Sequence, residues 1–150
     1  MNVTATQLES LLDAYLPQLN FLTDDEVVYK TSPAKWSKKE LIGHLIDSAQ
    51  NNTRRFIVAQ YEENPTIVYN QDKWVATNNY QTWELKDLIQ LWYLLNKQTA
   101  FILKNISAEV SQRTCQAEAS YTIEWLATDY IKHLKHHIHE VLNLQPVAYP

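Results

Sequence analysis

Residues 124–141 read EWLATDYIKHLKHHIHEV, and the periodicity of this stretch decides both the fold class and the placement of the chemistry. A helical residue advances about 100°. With Leu134 set at zero, Ile123, Ala127, Tyr130, Ile138 and Val141 all fall within about 40° of it and define one buried face. The same stretch carries His133, His136, His137 and His139, four of the five histidines of the chain. His137 and His133 fall at about −60° and −100°, one turn apart on a flank of the apolar face. His136 and His139 fall at about 200° and 140° and are expected to face solvent.

Working outward, Thr122 predicts the start of this last helix, which the pattern carries to about Leu144. Ser37-Lys-Lys-Glu40 reads as a capping box, with Trp36 and Leu41 in the positions of a hydrophobic staple. It opens a helix from Ser37 to about Glu63, before Pro65. Thr6-Gln-Leu-Glu9 reads as another capping box, opening a first helix that ends near Pro17. A third helix is predicted from Thr82 to about Asn105, with Leu88, Trp92, Leu95, Thr99 and Ile102 on one stripe. Gly43 is the only glycine. Sheets and tight hairpins draw on glycine for positive φ, so its scarcity also favours helices. Four amphipathic helices in 150 residues predict an all-α protein: one four-helix-bundle domain over 1–150, with a long loop between helices two and three. That loop, NPTIVYNQDKWVATNNYQ at 64–81, has no convincing period. It either covers a pocket or is a crossover strapped down by Tyr69, Trp74 and Tyr80.

Composition narrows the function classes. Hydrophobic residues make up 45% and charged residues 20%, as in a folded globular protein. A net charge of −4 supplies no general attraction to phosphate backbones or anionic lipid, so nucleic acid is not an expected partner. Cys115 stands alone, which excludes an intramolecular disulfide, and a small buried side chain is its expected role. The opening MNVTATQLESLLDAY lacks a basic segment followed by an apolar one, and no run of about 18 apolar residues occurs. The expected location is cytoplasmic, with no membrane contact. Aromatic-rich loops leave a homodimer open, without an interface that the sequence can place.

The fifth histidine, His44, lies in ELIGHLIDSAQ. With Leu45 at zero it falls at about −100°, again on a flank of the core stripe, and Ser48, Asn51 and Arg55 continue a polar stripe beside it. Asn52 falls inside the apolar face at about −20°. A polar group there needs a partner, because burying it unpaired costs about 1–3 kcal/mol. Asp47 points about 160° away and is expected at the surface. His44, His133 and His137, from two facing helices, can bind one divalent metal facially; zinc, nickel and iron(II) all accept imidazole, and three protein ligands leave positions for water or substrate. The alternative is a set of histidines hydrogen-bonded at a core edge, in a non-catalytic metal- or ligand-binding bundle.

KWSKKELIGHLIDSAQNNTRRFI at 35–57 and EWLATDYIKHLKHHIHEV at 124–141 together resemble the DinB/YfiT-like superfamily of four-helix-bundle metalloenzymes. The resemblance implies that His44, His133 and His137 hold the divalent metal. It further implies a small-molecule substrate and one of two activities: a low-molecular-weight-thiol S-transferase, similar to the bacillithiol transferases and the mycothiol-dependent isomerase, or a metal-dependent hydrolase. In the first case a low-molecular-weight thiol is the cosubstrate. Ser48, Asn51, Asn52 and Arg55 then form the polar wall of the pocket. Arg55 is placed to hold an anionic group of the thiol or substrate, with a surface or inter-helix ion pair as its alternative. Glu140 is placed to orient a ligand imidazole or to act as general base, with a solvated surface carboxylate as the alternative. Trp74 is the pocket candidate from the long loop.

Overall fold

The computed structural model describes residues 1–149. Its helices are α1 (Asn2–Leu19), α2 (Asp24–Val28), α3 (Lys38–Val58), α4 (Gln71–Asn78), α5 (Leu85–Asn105) and α6 (Ile123–Val141). Strands β1 (Thr114–Gln116) and β2 (Ser120–Thr122) form a short antiparallel hairpin, with Thr114 opposite Thr122. The four long helices make the bundle: α1 lies against α5, α5 against α3, α3 against α6, and α6 returns to α1. Leu8, Leu12, Ile42, Leu45, Leu88, Trp92, Leu134 and Ile138 fill the space between them and are almost wholly buried.

The caps explain why α3 and α6 begin where they do. Ser37 Oγ accepts from the Glu40 N–H at 3.1 Å while Glu40 Oε2 accepts from the Ser37 N–H at 2.7 Å, satisfying two orphan donors reciprocally. Thr122 Oγ1 accepts from the Trp125 N–H at 3.1 Å and opens α6. Both starts agree with the expected ones.

Elsewhere packing overrides local signals. The Thr6–Glu9 capping box does not form; α1 already begins at Asn2, because Ala5 and Leu8 are fully buried core residues. Pro17 does not stop α1 either. The Asn20 N–H still reaches Leu16 O at 3.1 Å, and Leu19 beyond the proline is wholly buried, so the lost bond falls in the last turn, where the cost is least. α5 starts at Leu85 rather than Thr82, and α6 stops at Val141 rather than Leu144.

The 64–81 segment is not an aperiodic loop. It contains α4, capped by Asn70 Oδ1 accepting from the Lys73 N–H at 2.9 Å, and a short 3-10 turn at Tyr80–Thr82. Its start is tied to the hairpin, with the Ile67 N–H donating to Gln116 O and the Gln116 N–H to Pro65 O, both at 2.9 Å. Asparagine replaces glycine wherever the described chain needs the left-handed region: Asn64, Asn79 and Asn143 have φ of 43°, 49° and 52°. Gly43 serves a different purpose. It lies inside α3, where any Cβ would collide with the ring of Tyr80.

Candidate metal centre and its cavity

α3 and α6 face one another, and their flank histidines meet in the seam. His44 is 1% exposed, and one side-chain nitrogen each from His44, His133 and His137 lie within 4.8 Å of one another. His44 Nε2 and His133 Nε2 are 2.9 Å apart. That is the spacing of an N–H···N hydrogen bond. It is equally the spacing of two ligands of one ion, since nitrogens bound at about 2.0–2.1 Å with angles of about 90–109° sit about 2.9–3.4 Å apart. The third ring, His137, stands edge-on to the other two, with centroids 5.0 Å from His44 and 4.7 Å from His133. Among the described residues, no carboxylate or thiol joins this trio within the same span.

The surroundings keep the rings uncharged. Burial, reinforced by the neighbouring His137, takes His44 from its usual range down to about 4. Burial pushes His133 further down, with His44, His137 and His136 adding to the effect. His137 is lowered too, by burial and by His136, and Glu140 partly opposes this. Neutral imidazoles at neutral pH present lone pairs, the form in which histidine binds a metal.

A chain of side chains orients His133. Its Nδ1 lies 3.4 Å from Ser48 Oγ, which also accepts from Asn52 Nδ2 at 3.3 Å, and Asn52 Oδ1 accepts from Arg55 Nη1 at 3.2 Å. With Nδ1–H donating to Ser48, the Nε2 lone pair of His133 is free for the centre. Arg55 is further engaged, because Nε and Nη2 both donate to Ile67 O, at 3.1 and 3.0 Å. Its fork therefore clamps the 64–81 segment to α3. On the other side, Glu140 Oε2 lies 3.6 Å from His137 Nδ1. His44 Nδ1 and His137 Nδ1 are buried without a hydrogen-bond partner, and Trp36 lies tilted over His44 with ring centroids 4.9 Å apart.

A cavity of about 920 Å³ opens beside the centre. His133, His137, Ser48, Asn52, Arg55 and Tyr69 line it, together with Tyr121, Trp125, Asp129 and Tyr149. Tyr121 and Trp125 are stacked, with centroids 3.9 Å apart and planes 10° from parallel.

Several expected placements change. Asn51 is buried against its own helix, donating to Asp47 O at 2.9 Å, and is outside the lining. Trp74 packs edge-on against Tyr69 at 5.5 Å, so Tyr69 faces the cavity in its place. Glu140 also lies outside the lining. Asp47 is not at the surface but fully buried, accepting from Tyr80 O–H at 2.5 Å and Asn78 Nδ2 at 3.2 Å. Those partners come from the 64–81 segment, which covers the face of α3 that a helical wheel assigns to solvent. His136 and His139 are not free in solvent either: His136 Nδ1 donates to Val147 O at 2.6 Å and His139 Nδ1 to Gln145 O at 2.7 Å. The sequence reasoning missed Tyr69, Tyr121, Trp125 and Tyr149. Tyr121 lies in β2 and Trp125 in α6, so no single period links the two.

The fold and site together define a four-helix bundle in which three histidines from facing helices meet beside a cavity. The DinB superfamily profile matches residues 7–141, and the chain belongs to that superfamily. It is 29% identical over 136 residues to a protein of Halalkalibacterium halodurans named as a candidate metal-dependent hydrolase, spanning 89% of this chain and 77% of the relative. A similarly named protein of Oceanobacillus iheyensis is 29% identical over 112 residues, 73% of this chain and 64% of the relative. Among solved structures, YfiT from Bacillus subtilis, described as a candidate metal-dependent hydrolase with an unusual four-helix-bundle topology, superposes with a TM-score of 0.82. That match is 23% identical and covers 93% of this chain and 82% of YfiT. The mycothiol-dependent maleylpyruvate isomerase shares the fold with a TM-score of 0.71 at 14% identity, covering 97% of this chain and 60% of the isomerase. No described helix is long and apolar enough to cross a membrane.

Proposed function

We propose that His44, His133 and His137 together hold one divalent metal ion, and that the protein is a metal-dependent enzyme acting on a small molecule, with hydrolysis of an acyl or amide bond as the leading reaction. The observation that carries this is the convergence of three neutral imidazoles beside a cavity of about 920 Å³. The names of the similar proteins point the same way. When bound, the ion would act as a Lewis acid, making a water or thiol a better nucleophile near neutral pH. Zinc, nickel and iron(II) all suit the donor set.

The chain's own residues supply orientation. Ser48, Asn52 and Arg55 fix the His133 ring, and the same chain holds down the 64–81 segment, so one clamp serves both the centre and the cavity wall. Glu140 approaches His137 from outside the cavity, 3.6 Å from Nδ1, which places its charge beside the ring rather than in contact with substrate. A thiol-transfer reaction is the second reading. It is favoured by the fold shared with a mycothiol-dependent enzyme and by a cavity roomy enough for two reactants.

Metal analysis of the untagged protein tests the centre. His44→Ala, His133→Ala and His137→Ala should each lose most bound metal, whereas His136→Ala and His139→Ala should retain it. Equal loss from all five variants would refute the assignment. Turnover of the metal-loaded protein on acyl and amide substrates, compared with a thiol plus an electrophile, then separates the two reactions.

A further inference from the structure

The segment after α6 assigns a task to the two histidines that stay outside the metal trio. At Asn143 the chain reverses with positive φ, and the Leu144 N–H donates to His139 O at 2.8 Å. It then runs back along α6, contacting it at alternate residues. Gln145 O accepts from His139 Nδ1 at 2.7 Å, Val147 O accepts from His136 Nδ1 at 2.6 Å, and Tyr149 O–H donates to Asp129 Oδ2 at 2.9 Å. Two residues of extended chain span about 6.6 Å. One helical turn rises about 5.4 Å, so the strap matches the turn from His139 to His136, and the long Tyr149 side chain covers the remaining two turns to Asp129. A carbonyl can only accept, so both histidines carry their proton on Nδ1. His139 Nε2 is then free to accept from Tyr15 O–H at 2.8 Å, which ties the strap to α1.

The strap ends on the metal trio. The Tyr149 ring stands edge-on to His133 with centroids 5.2 Å apart, and Tyr149, Asp129 and His133 all line the cavity. None of the strap's hydrogen bonds uses a nitrogen of His44, His133 or His137. The donor set and its cover are therefore built from separate atoms.

We infer that Tyr149, carried by the strap of residues 145–149, forms the cavity wall beside His133, and that it is a specificity-determining residue that limits the bulk of the group able to reach the centre. Its hydroxyl, anchored on Asp129, holds the ring across His133; the His136 and His139 imidazoles hold the strap that carries it. The limit on bulk rests on the proposed metal centre, whereas the wall itself does not.

Two measurements test this on the wild type, Tyr149→Ala and Tyr149→Phe. The first uses metal-free protein and follows carbethoxylation of His133 by diethyl pyrocarbonate, read by peptide mass spectrometry. Tyr149→Ala removes an edge-to-face aromatic contact and one hydrogen bond and should label His133 about tenfold faster, a change equivalent to about 1.4 kcal/mol. Tyr149→Phe keeps the ring and loses only the tether, so its rate should lie between the two. The second uses cobalt-loaded protein and titrates 2-mercaptoethanol and benzenethiol against the visible spectrum. Tyr149→Ala should tighten benzenethiol about tenfold relative to 2-mercaptoethanol, the same energy expressed as selectivity. Unchanged His133 labelling would overturn the wall, and faster labelling with an unchanged thiol ratio would overturn the specificity role. Failure of the wild type to take up cobalt would refute the metal centre instead, and the labelling rates would still decide the wall.

Discussion

Gly43 and Asp47 sit one turn apart on α3 and meet the same partner, Tyr80. The ring of Tyr80 occupies the space a Cβ at position 43 would need, and its hydroxyl is held by Asp47 Oδ1 at 2.5 Å. Two effects of opposite sign therefore compete in Gly43→Ala. Helix propensity favours alanine by about 1 kcal/mol. Overpacking a site whose neighbour is anchored costs about 1–3 kcal/mol. Because the tyrosine is tethered at its far end, it cannot swing away, and the variant should be destabilised by up to about 2 kcal/mol in urea unfolding. In a Tyr80→Ala background the same change should become neutral or stabilising, and a loss that persisted there would show that the ring is not the cause. This single glycine was visible in the sequence as an oddity of composition. Its purpose was not, because the side chain it admits lies on a segment that gave no periodic signal. Asp47 was misplaced for the same reason: a helical wheel counts one buried face, and α3 is covered on a second face by residues more than thirty positions away.

Among the elements, the legible ones were those whose ends are closed by local chemistry. Ser37 with Glu40, and Thr122, cap α3 and α6 through side chains within three residues, so the signal and the structure share the same few positions. The hairpin and α4 were hidden because their turns use asparagine and alanine instead of glycine, and because tertiary contacts rather than amphipathic period hold them. The histidines on α3 and α6 were legible as a trio from rotation alone, since both helices are regular through those positions. The cavity walls were not, because they come from 64–81, the hairpin and the strap. Arg55 shows how these irregular parts are secured. Three of its donors go to Ile67 O and Asn52 Oδ1, and hydrogen bonds from a charged group contribute about 1.5–3 kcal/mol. Arg55→Ala should raise amide exchange across 66–72 while leaving exchange in α1 and α5 unchanged. Arg55→Lys should not rescue it, because an ammonium cannot present the two-pronged fork to one carbonyl. Uniform faster exchange across the bundle would mean instead that Arg55 supports the whole core.

At the scale of the whole molecule, protons and metal act on the same recess. The core of Leu8, Leu12, Leu45, Leu88, Trp92 and Leu134 is complete without any ion, so chelation should leave the far-UV helical signal intact. Metal then adds stability by linkage, about 2.7 kcal/mol at a hundredfold excess over Kd. The pH dependence of the metal-free protein follows from the buried groups. Unfolded histidines titrate near 6.5, whereas burial has taken His44 to about 4 and His133 lower still. Between those values the unfolded chain binds more protons than the folded one, so stability falls as the pH is lowered through this window. Asp47 works in the opposite direction. Burial raises its carboxyl to about 6, so the folded state binds its proton first and gains stability as the pH falls below that value. Two histidines outweigh one carboxyl, and the metal-free protein should lose stability from pH 6.5 down to about 4. The metal increment should behave differently. Exposed imidazoles would surrender a metal to protons near pH 6.5, but in the folded recess His44 resists protonation until about 4. Thermal unfolding with and without excess zinc, from pH 7.5 to 5, should therefore show a falling metal-free Tm and an increment from zinc that persists or widens. An increment that disappeared near pH 6.5 would mean that the three imidazoles are solvated in solution, and that the seam between α3 and α6 does not present them as a dry, preformed donor set.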